Sequence, residues 1–137
     1  MNLSIDHINM SVVSLDSSRQ WYRDLFGFEE VESGLRDGNP WAILRSGDTM
    51  LCLYEYPKIN PVSHQDRRKH HEKIPGINHF SFRISDPDTW IQLIKEKNVT
   101  LGYGGGKISY PFSDSWYVLD PSGHEIEVVY WHSGIQF

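Results

Sequence analysis

The sequence predicts an α+β fold in which one β-α-β-β-β module is written twice within a single domain, residues 1–137. Three observations predict it. Ile5-Asp6-His7 recurs as Ile77-Asn78-His79, 72 residues later and about half of the 137-residue chain away. Each copy opens a stretch that alternates apolar and polar residues, followed by an apolar stripe at helical spacing. Each module then closes on short alternating strands separated by turn residues. Two such half-sheets are expected to form a curved mixed sheet around a shared hollow.

The first module covers about 1–56. Its opening strand, over 3–13, places Leu3, Ile5, His7, Asn9 and Ser11 on one face and Ile8, Met10 and Val12 on the other. A helix is expected over 17–26, with Ser17 and Gln20 as a capping box and Gly27 as its stop. Trp21, Tyr22, Leu25 and Phe26 form its apolar stripe. Strands near 28–33, 40–46 and 49–56 follow. Residues 57–75 are polar, flanked by prolines and aperiodic, and read as a linker over the surface. In the second module, about 76–137, a strand over 77–85 sets His79, Ser81 and Arg83 opposite Phe80, Phe82 and Ile84. Asp86-Pro87 starts the next helix, with Pro at its first position, and Asn98 ends it. Strands near 99–103, 114–119 and 124–131 complete the module.

Composition excludes several classes. Lys and Arg number 13 against 18 Asp and Glu, and a net charge of −5 speaks against a dedicated nucleic-acid binder. No apolar run approaches the roughly 18–20 residues of a membrane span. The opening MNLSIDHINM lacks the basic start and continuous apolar stretch of a signal peptide, so a cytoplasmic protein is expected. Cys52 is the only cysteine, which excludes an intrachain disulfide and a Cys-based zinc site. Its parity, opposite to Leu51 and Leu53, predicts packing under a helix.

The polar faces of the two opening strands carry His7 with Asn9, and His79 with Ser81 and Arg83. Histidines at one equivalent position of a repeat are candidate metal ligands, whereas a single such histidine is more often structural. The stretch 117–127 reads as a hairpin: Pro121-Ser122-Gly123 suits a three-residue loop with Gly in the left-handed position. That register sets Asp120 opposite His124 and Tyr117 opposite Glu127, with Glu125 on the same face. A carboxylate within an Ile/Val/Tyr strand is costly unless paired or bound to a cation, so Glu127 is either a third ligand or an exposed edge residue. Tyr117 beside it is a candidate proton donor or oxyanion partner. Arg83 is placed to meet substrate charge or Glu125.

These residues, together with Trp21-Tyr-Arg-Asp-Leu-Phe-Gly-Phe28, Leu51-Cys-Leu53 and the stretch 117–127, make the chain resemble the vicinal-oxygen-chelate superfamily. Its members include glyoxalase I, fosfomycin-resistance transferases, extradiol dioxygenases and drug-sequestering bleomycin-resistance proteins. The resemblance implies a glyoxalase-like fold, a homodimer, and a metal held by His7, His79 and Glu127. Two histidines and one carboxylate leave positions open and suit Fe, Mn, Ni or Zn. The implied chemistry is Lewis-acid activation of a small oxygen-chelating substrate.

The local wording is most similar to the fosfomycin-resistance group, whose lysine and tyrosine near the substrate correspond to Lys107 and Tyr117. That likeness implies a thiol cosubstrate such as glutathione. Asn9 replaces a threonine of that group, Ile108–Phe112 replaces its polar cation loop, and Gln136 stands where it has an arginine. These departures point to thiol or water addition to an electrophile other than fosfomycin. Glyoxalase I-like members add a fourth ligand, for which Glu55 keeps the repeat spacing from Glu127. Aligning Ser46-Gly47 with Ser122-Gly123 instead puts Leu51 there, and Glu55 is read as a strand-end carboxylate. Extradiol enzymes need a histidine shortly before Tyr117, and this chain has none there. The rival from another class is a metal-free ligand-sequestering protein, whose members lack the triad. Arg67-Arg68-Lys69-His70-His71 is expected to be a solvated loop, with a clamp for an anionic substrate tail as its functional alternative. Gly104-Gly105-Gly106-Lys107 fails as a phosphate-binding loop, because Leu101 and Ile108 stand where Gly and Ser/Thr are required.

Overall fold

The computed structural model describes residues 1, 3–56 and 58–133, in two compact units, Met1–Pro61 and Val62–Phe137. Pro57 and Gln136 lie outside the described residues.

The first unit runs β1 (Ile8–Val12), α1 (Leu15–Phe26), β2 (Glu29–Arg36), β3 (Asn39–Ser46) and β4 (Thr49–Glu55). Its sheet has the order β1-β4-β3-β2, with β1 parallel to β4 and the other pairs antiparallel. Helix α1 starts two residues earlier than the spacing predicts, because Ser14 is the N-cap and accepts the Ser17 N–H at 3.3 Å. Glu55 adds a carboxylate at the same helix end, accepting the Leu15 N–H at 2.7 Å, where the helix dipole favours a negative charge. Gly27 closes the helix at φ +65°. Leu15, Tyr22 and Leu25 of the helix are buried, as are Met10, Val12, Ala42, Leu44, Leu51 and Leu53 of the sheet.

The second unit runs α2 (His64–His71), β5 (Phe80–Ile84), α3 (Pro87–Glu96), β6 (Ile108–Ser109), β7 (Ser113–Leu119) and β8 (Glu125–Trp131). Its sheet, β5-β8-β7-β6, repeats the mixed pattern, with β5 parallel to β8. Asp86 caps α3 by accepting the Thr89 N–H at 3.0 Å, with Pro87 in the first turn as predicted. Trp90, Ile94, Trp116, Val118, Ile126 and Val128 form the core of this unit. Among the described residues, no helix is long and apolar enough to cross a membrane.

Several expectations are corrected. The opening strands are shorter than read, and His7 and His79 stand immediately before β1 and β5. The predicted strand over 99–103 is a single bridge, Leu101 to Val118, and the edge strand is instead β6. The segment read as an aperiodic linker contains α2, and most of it belongs to the second unit. Ser63 is the N-cap of α2, with its Oγ 3.1 Å from the Asp66 N–H. The Ser-x-x-Asp spacing was a helix signal hidden by the absence of an apolar stripe.

Cys52 lies on the face opposite to the one expected to pack under a helix. Parallel pairing sets Leu51 beside Ile8 and Cys52 beside Asn9, so Leu51 and Leu53 are buried and Cys52 shares the polar face of Asn9. The β3–β4 turn has two residues, Gly47 and Asp48, whereas the β7–β8 loop has three, 121–123, inside the Asp120 N–H to His124 carbonyl bond. Aligning the glycines therefore slips the register by one residue, and a one-residue slip exchanges the faces of a strand.

Candidate functional site

The β7–β8 hairpin carries the site. Asp120 Oδ1 organises its loop by accepting the N–H groups of Ser122 at 2.9 Å and His124 at 2.8 Å, and Gly123 takes φ +87°. Tyr117 then pairs with Glu127 across the hairpin, and Ser81 of β5 pairs with Glu127 from the other side. The Glu127 carboxylate accepts the hydroxyls of Ser115 at 2.6 Å and Tyr117 at 3.3 Å on Oε1, and of Ser81 at 2.7 Å on Oε2. His79 Nε2 lies 3.3 Å from the same Oε2. Burial raises the Glu127 pKa, but the Ser115 and Ser81 hydroxyls and the His79 charge outweigh it, and the carboxyl titrates below its ordinary range. Glu127 is therefore an anion at neutral pH.

A second carboxylate stands behind the first. Glu125 is only 5% exposed, with His64 Nε2 of α2 2.6 Å from its Oε2 and His79 Nδ1 3.4 Å from its Oε1. Tyr103 donates its hydroxyl to Glu125 Oε1 at 3.3 Å. The His79 ring is thus flanked by a carboxylate at each nitrogen. Its plane meets the Tyr117 ring edge-on, with centroids 5.5 Å apart, and Tyr117 packs edge-on against Tyr103 at 4.7 Å. The Tyr117 and Tyr110 hydroxyls lie 3.3 Å apart. Burial, the Tyr110 contact and the Glu127 charge all raise the Tyr117 pKa, so this phenol stays protonated and acts as a donor.

Residues 4–128 match the family described as the Glyoxalase/Bleomycin resistance protein/Dioxygenase superfamily. The chain belongs to this superfamily. It is 31% identical over 135 residues to a metallothiol transferase, FosB, of Staphylococcus epidermidis, with 96% of this chain and 82% of that protein covered. The fold is that of a glyoxylase/bleomycin resistance protein/dioxygenase domain from Frankia sp. EAN1pec, at a TM-score of 0.78 and 18% identity, over 98% of this chain and 96% of that one. The fosfomycin resistance protein FosX of Listeria monocytogenes, in a crystal complexed with Mn(II) and sulfate, superposes at a TM-score of 0.68 and 18% identity, covering 97% of this chain and 96% of FosX.

Of the residues singled out in this superfamily member, the second unit brings together His79, Ser81, Tyr117 and Glu127. Sequence reasoning missed four partners there: His64, Tyr103, Tyr110 and Ser115. Ser115 was within reach, because it shares strand parity with Tyr117. Arg83 is exposed on β5, on the side opposite Phe82 and Ile84. Lys107 binds Asp114 at 3.0 Å, and the Ser109 hydroxyl and Lys107 together hold that carboxyl below its usual range. In the first unit, His7 is exposed with Nδ1 2.7 Å from Asp6 Oδ2. Asn9 lines a polar cavity of about 340 Å³ with Arg36, Asn39 and Tyr54. The pairing of Asn9 with Cys52 matches that of Ser81 with Glu127, so the first sheet carries a thiol where the second carries a carboxylate. Glu55 is occupied at the end of α1.

The donor set of the second unit fits a divalent cation in its chemistry. An anionic carboxylate and an imidazole are hard and borderline ligands, and Glu127 retains a lone pair on Oε2 beyond those its hydroxyl neighbours use. Among the described residues of this unit, no third His, Cys, Asp or Glu completes a metal cage with them.

Proposed function

We propose that the chain is a divalent-metal-dependent enzyme that activates an oxygen-bearing small electrophile for attack by a thiol. The observation that carries this reading is His79 beside an anionic Glu127, with a buried carboxylate at its other nitrogen. Metal-binding histidines characteristically donate their second N–H to a carboxylate, which fixes the ring and its tautomer. In this reading Glu125 holds Nδ1 of His79, leaving Nε2 for the cation alongside Glu127. His7, the repeat-equivalent histidine of the first unit, supplies the third ligand, from the same chain or from a second copy in a homodimer. The name of the FosB relative supports both the metal and the thiol, and the Mn(II) complex of FosX makes manganese the first ion to test. Fe, Ni and Zn suit the same donors.

The bound ion would supply Lewis acidity toward a substrate oxygen. The chain's own residues supply the rest. Ser81 and Ser115 keep Glu127 ionised by donating to both of its oxygens. Tyr117, protonated and oriented by Tyr110, donates a hydrogen bond where negative charge develops on oxygen. Asn9 and Lys107, from the resemblance, and Arg83 of β5 are the remaining substrate-binding candidates, and a cytoplasmic location accompanies them.

The test is Mn(II) calorimetry and elemental analysis on protein purified without a metal-affinity tag. Wild type is expected to hold about one ion per site, and His79→Ala and His7→Ala to lose it with the fold intact by circular dichroism. Stoichiometric metal in His79→Ala would overturn the assignment. Wild-type protein that binds none of the four metals would favour the ligand-sequestering alternative. Glu125→Gln keeps the shape of the side chain but removes the charge that orients His79. It is expected to weaken Mn(II) binding by about 10–100-fold, and unchanged affinity would remove Glu125 from the positioning role.

A further inference from the structure

Helix α2 buries no apolar residue, yet side-chain contacts join it to the rest of the second unit. Its positions 64, 67, 68 and 71 follow the i, i+3, i+4, i+7 pattern of one helical face. Those positions are His64, Arg67, Arg68 and His71, so the face that an ordinary surface helix makes apolar is here entirely basic. His64 is spent on Glu125. Arg67 donates Nε to the Gly123 carbonyl at 2.7 Å, which ties the helix to the hairpin loop. The Arg68 guanidinium lies 5.7 Å from the centroid of the Tyr103 ring, a cation–π contact that sets its direction. Both ring nitrogens of His71 are shielded from solvent without a hydrogen-bond partner.

Arg67, Arg68 and His71 of this face line a cavity of about 330 Å³ together with Asn78, His79 and Tyr103. That volume lies at the small end of ligand pockets. Two carboxylates also border it. Glu125 is engaged by His64 and His79, and Glu72 is exposed at the helix end. Among the described residues, neither Arg67 nor Arg68 has a carboxylate within ion-pair distance. The cavity therefore offers two guanidinium groups and the Asn78 amide to whatever enters. A guanidinium fork matches the two oxygens of a carboxylate, while the nearby Glu72 and Glu125 disfavour two negative charges on a single group, as in phosphate.

We infer that this cavity binds a carboxylate of one reactant and delivers the rest of that molecule to His79, which makes carboxylate-bearing small molecules the substrate class. The inference rests on the reading of His79 and Glu127 as the reaction centre. The carboxylate arrives either on the thiol or on the electrophile.

Calorimetry on wild type and Arg68→Ala, with and without Mn(II), separates the possibilities. The probes are succinate, glutathione, and cysteamine as a thiol without a carboxylate. The Arg68 side chain is exposed and, unlike that of Arg67, makes no hydrogen bond to the backbone, so its replacement should leave the fold and the Mn(II) affinity unchanged. Succinate binding is expected to weaken about tenfold or more in Arg68→Ala. If glutathione weakens in parallel while cysteamine does not respond, the carboxylate comes on the thiol; if only succinate responds, it comes on the electrophile. Equal succinate affinity in wild type and Arg68→Ala, or no binding of either carboxylate to wild type, overturns the inference. The metal arm is independent: loss of Mn(II) binding by wild type would sink the proposed function, whereas the metal-free succinate titration still reads the cavity.

Discussion

Glu127→Gln is expected to abolish turnover and lower Mn(II) affinity by more than about 100-fold, beyond what loss of an outer-shell partner does. The substitution keeps the volume and planarity of the side chain, so the effect isolates charge and hydrogen-bond polarity. Glu127 is the acceptor for Ser81, Ser115 and Tyr117 at once, and His79 faces the same carboxylate. A glutamine offers one acceptor oxygen and an NH₂ group. At least one of these hydroxyls must then rotate its proton and accept from the NH₂ instead of donating. The carboxylate charge is lost as well, and among the described residues the one other carboxylate within ion-pair distance of His79 is Glu125, which His64 and His79 already engage. Mn(II) calorimetry alongside far-UV circular dichroism checks this. A folded Glu127→Gln protein that still binds one Mn(II) with wild-type affinity would remove Glu127 from the ligand set.

The second large effect is on stability. Gly123→Ala is expected to destabilise the chain by about 2–5 kcal/mol, from backbone strain and steric overlap together. Gly123 sits at φ +87°, which an L side chain rarely adopts, and an added Cβ would lie 2.0 Å from the Val62 carbonyl oxygen. Backbone on that side cannot move away cheaply, because the Val62 N–H donates to the Ser122 carbonyl at 3.1 Å. Arg67 also uses the Gly123 carbonyl, so the same shift would loosen α2 and the cavity it lines. Gly38→Ala is the control. Gly38 has a similar φ of +79°, but nothing lies within 4 Å of its added Cβ, so only the strain of about 1–2 kcal/mol should appear. Urea midpoints for the two variants measure the difference. Equal losses would mean that Val62 yields and that the packing of α2 on the hairpin is loose.

The sequence by itself determined whatever depends on neighbours a few residues apart. The repeat of Ile5-Asp6-His7, the two amphipathic helices and the Asp86-Pro87 start are local patterns, and all appear in the fold. The β7–β8 register was legible because a Pro-Ser-Gly loop closes a hairpin in one way, which set Tyr117 opposite Glu127. Only the tertiary structure decided the rest. Face assignment in the first module turned on one residue of loop length, which placed Cys52 rather than Leu51 beside Asn9. Helix α2 was hidden because its inward face is basic, and no hydrophobic period marks a helix that docks by hydrogen bonds and charge. His64 meets Glu125 across 61 positions of chain, and Arg67 meets Gly123 across 56. Such contacts follow from where the hairpin and the helix come to rest, and no local spacing encodes them. The residues that build the site were therefore visible one at a time, while their mutual arrangement is a property of the folded unit.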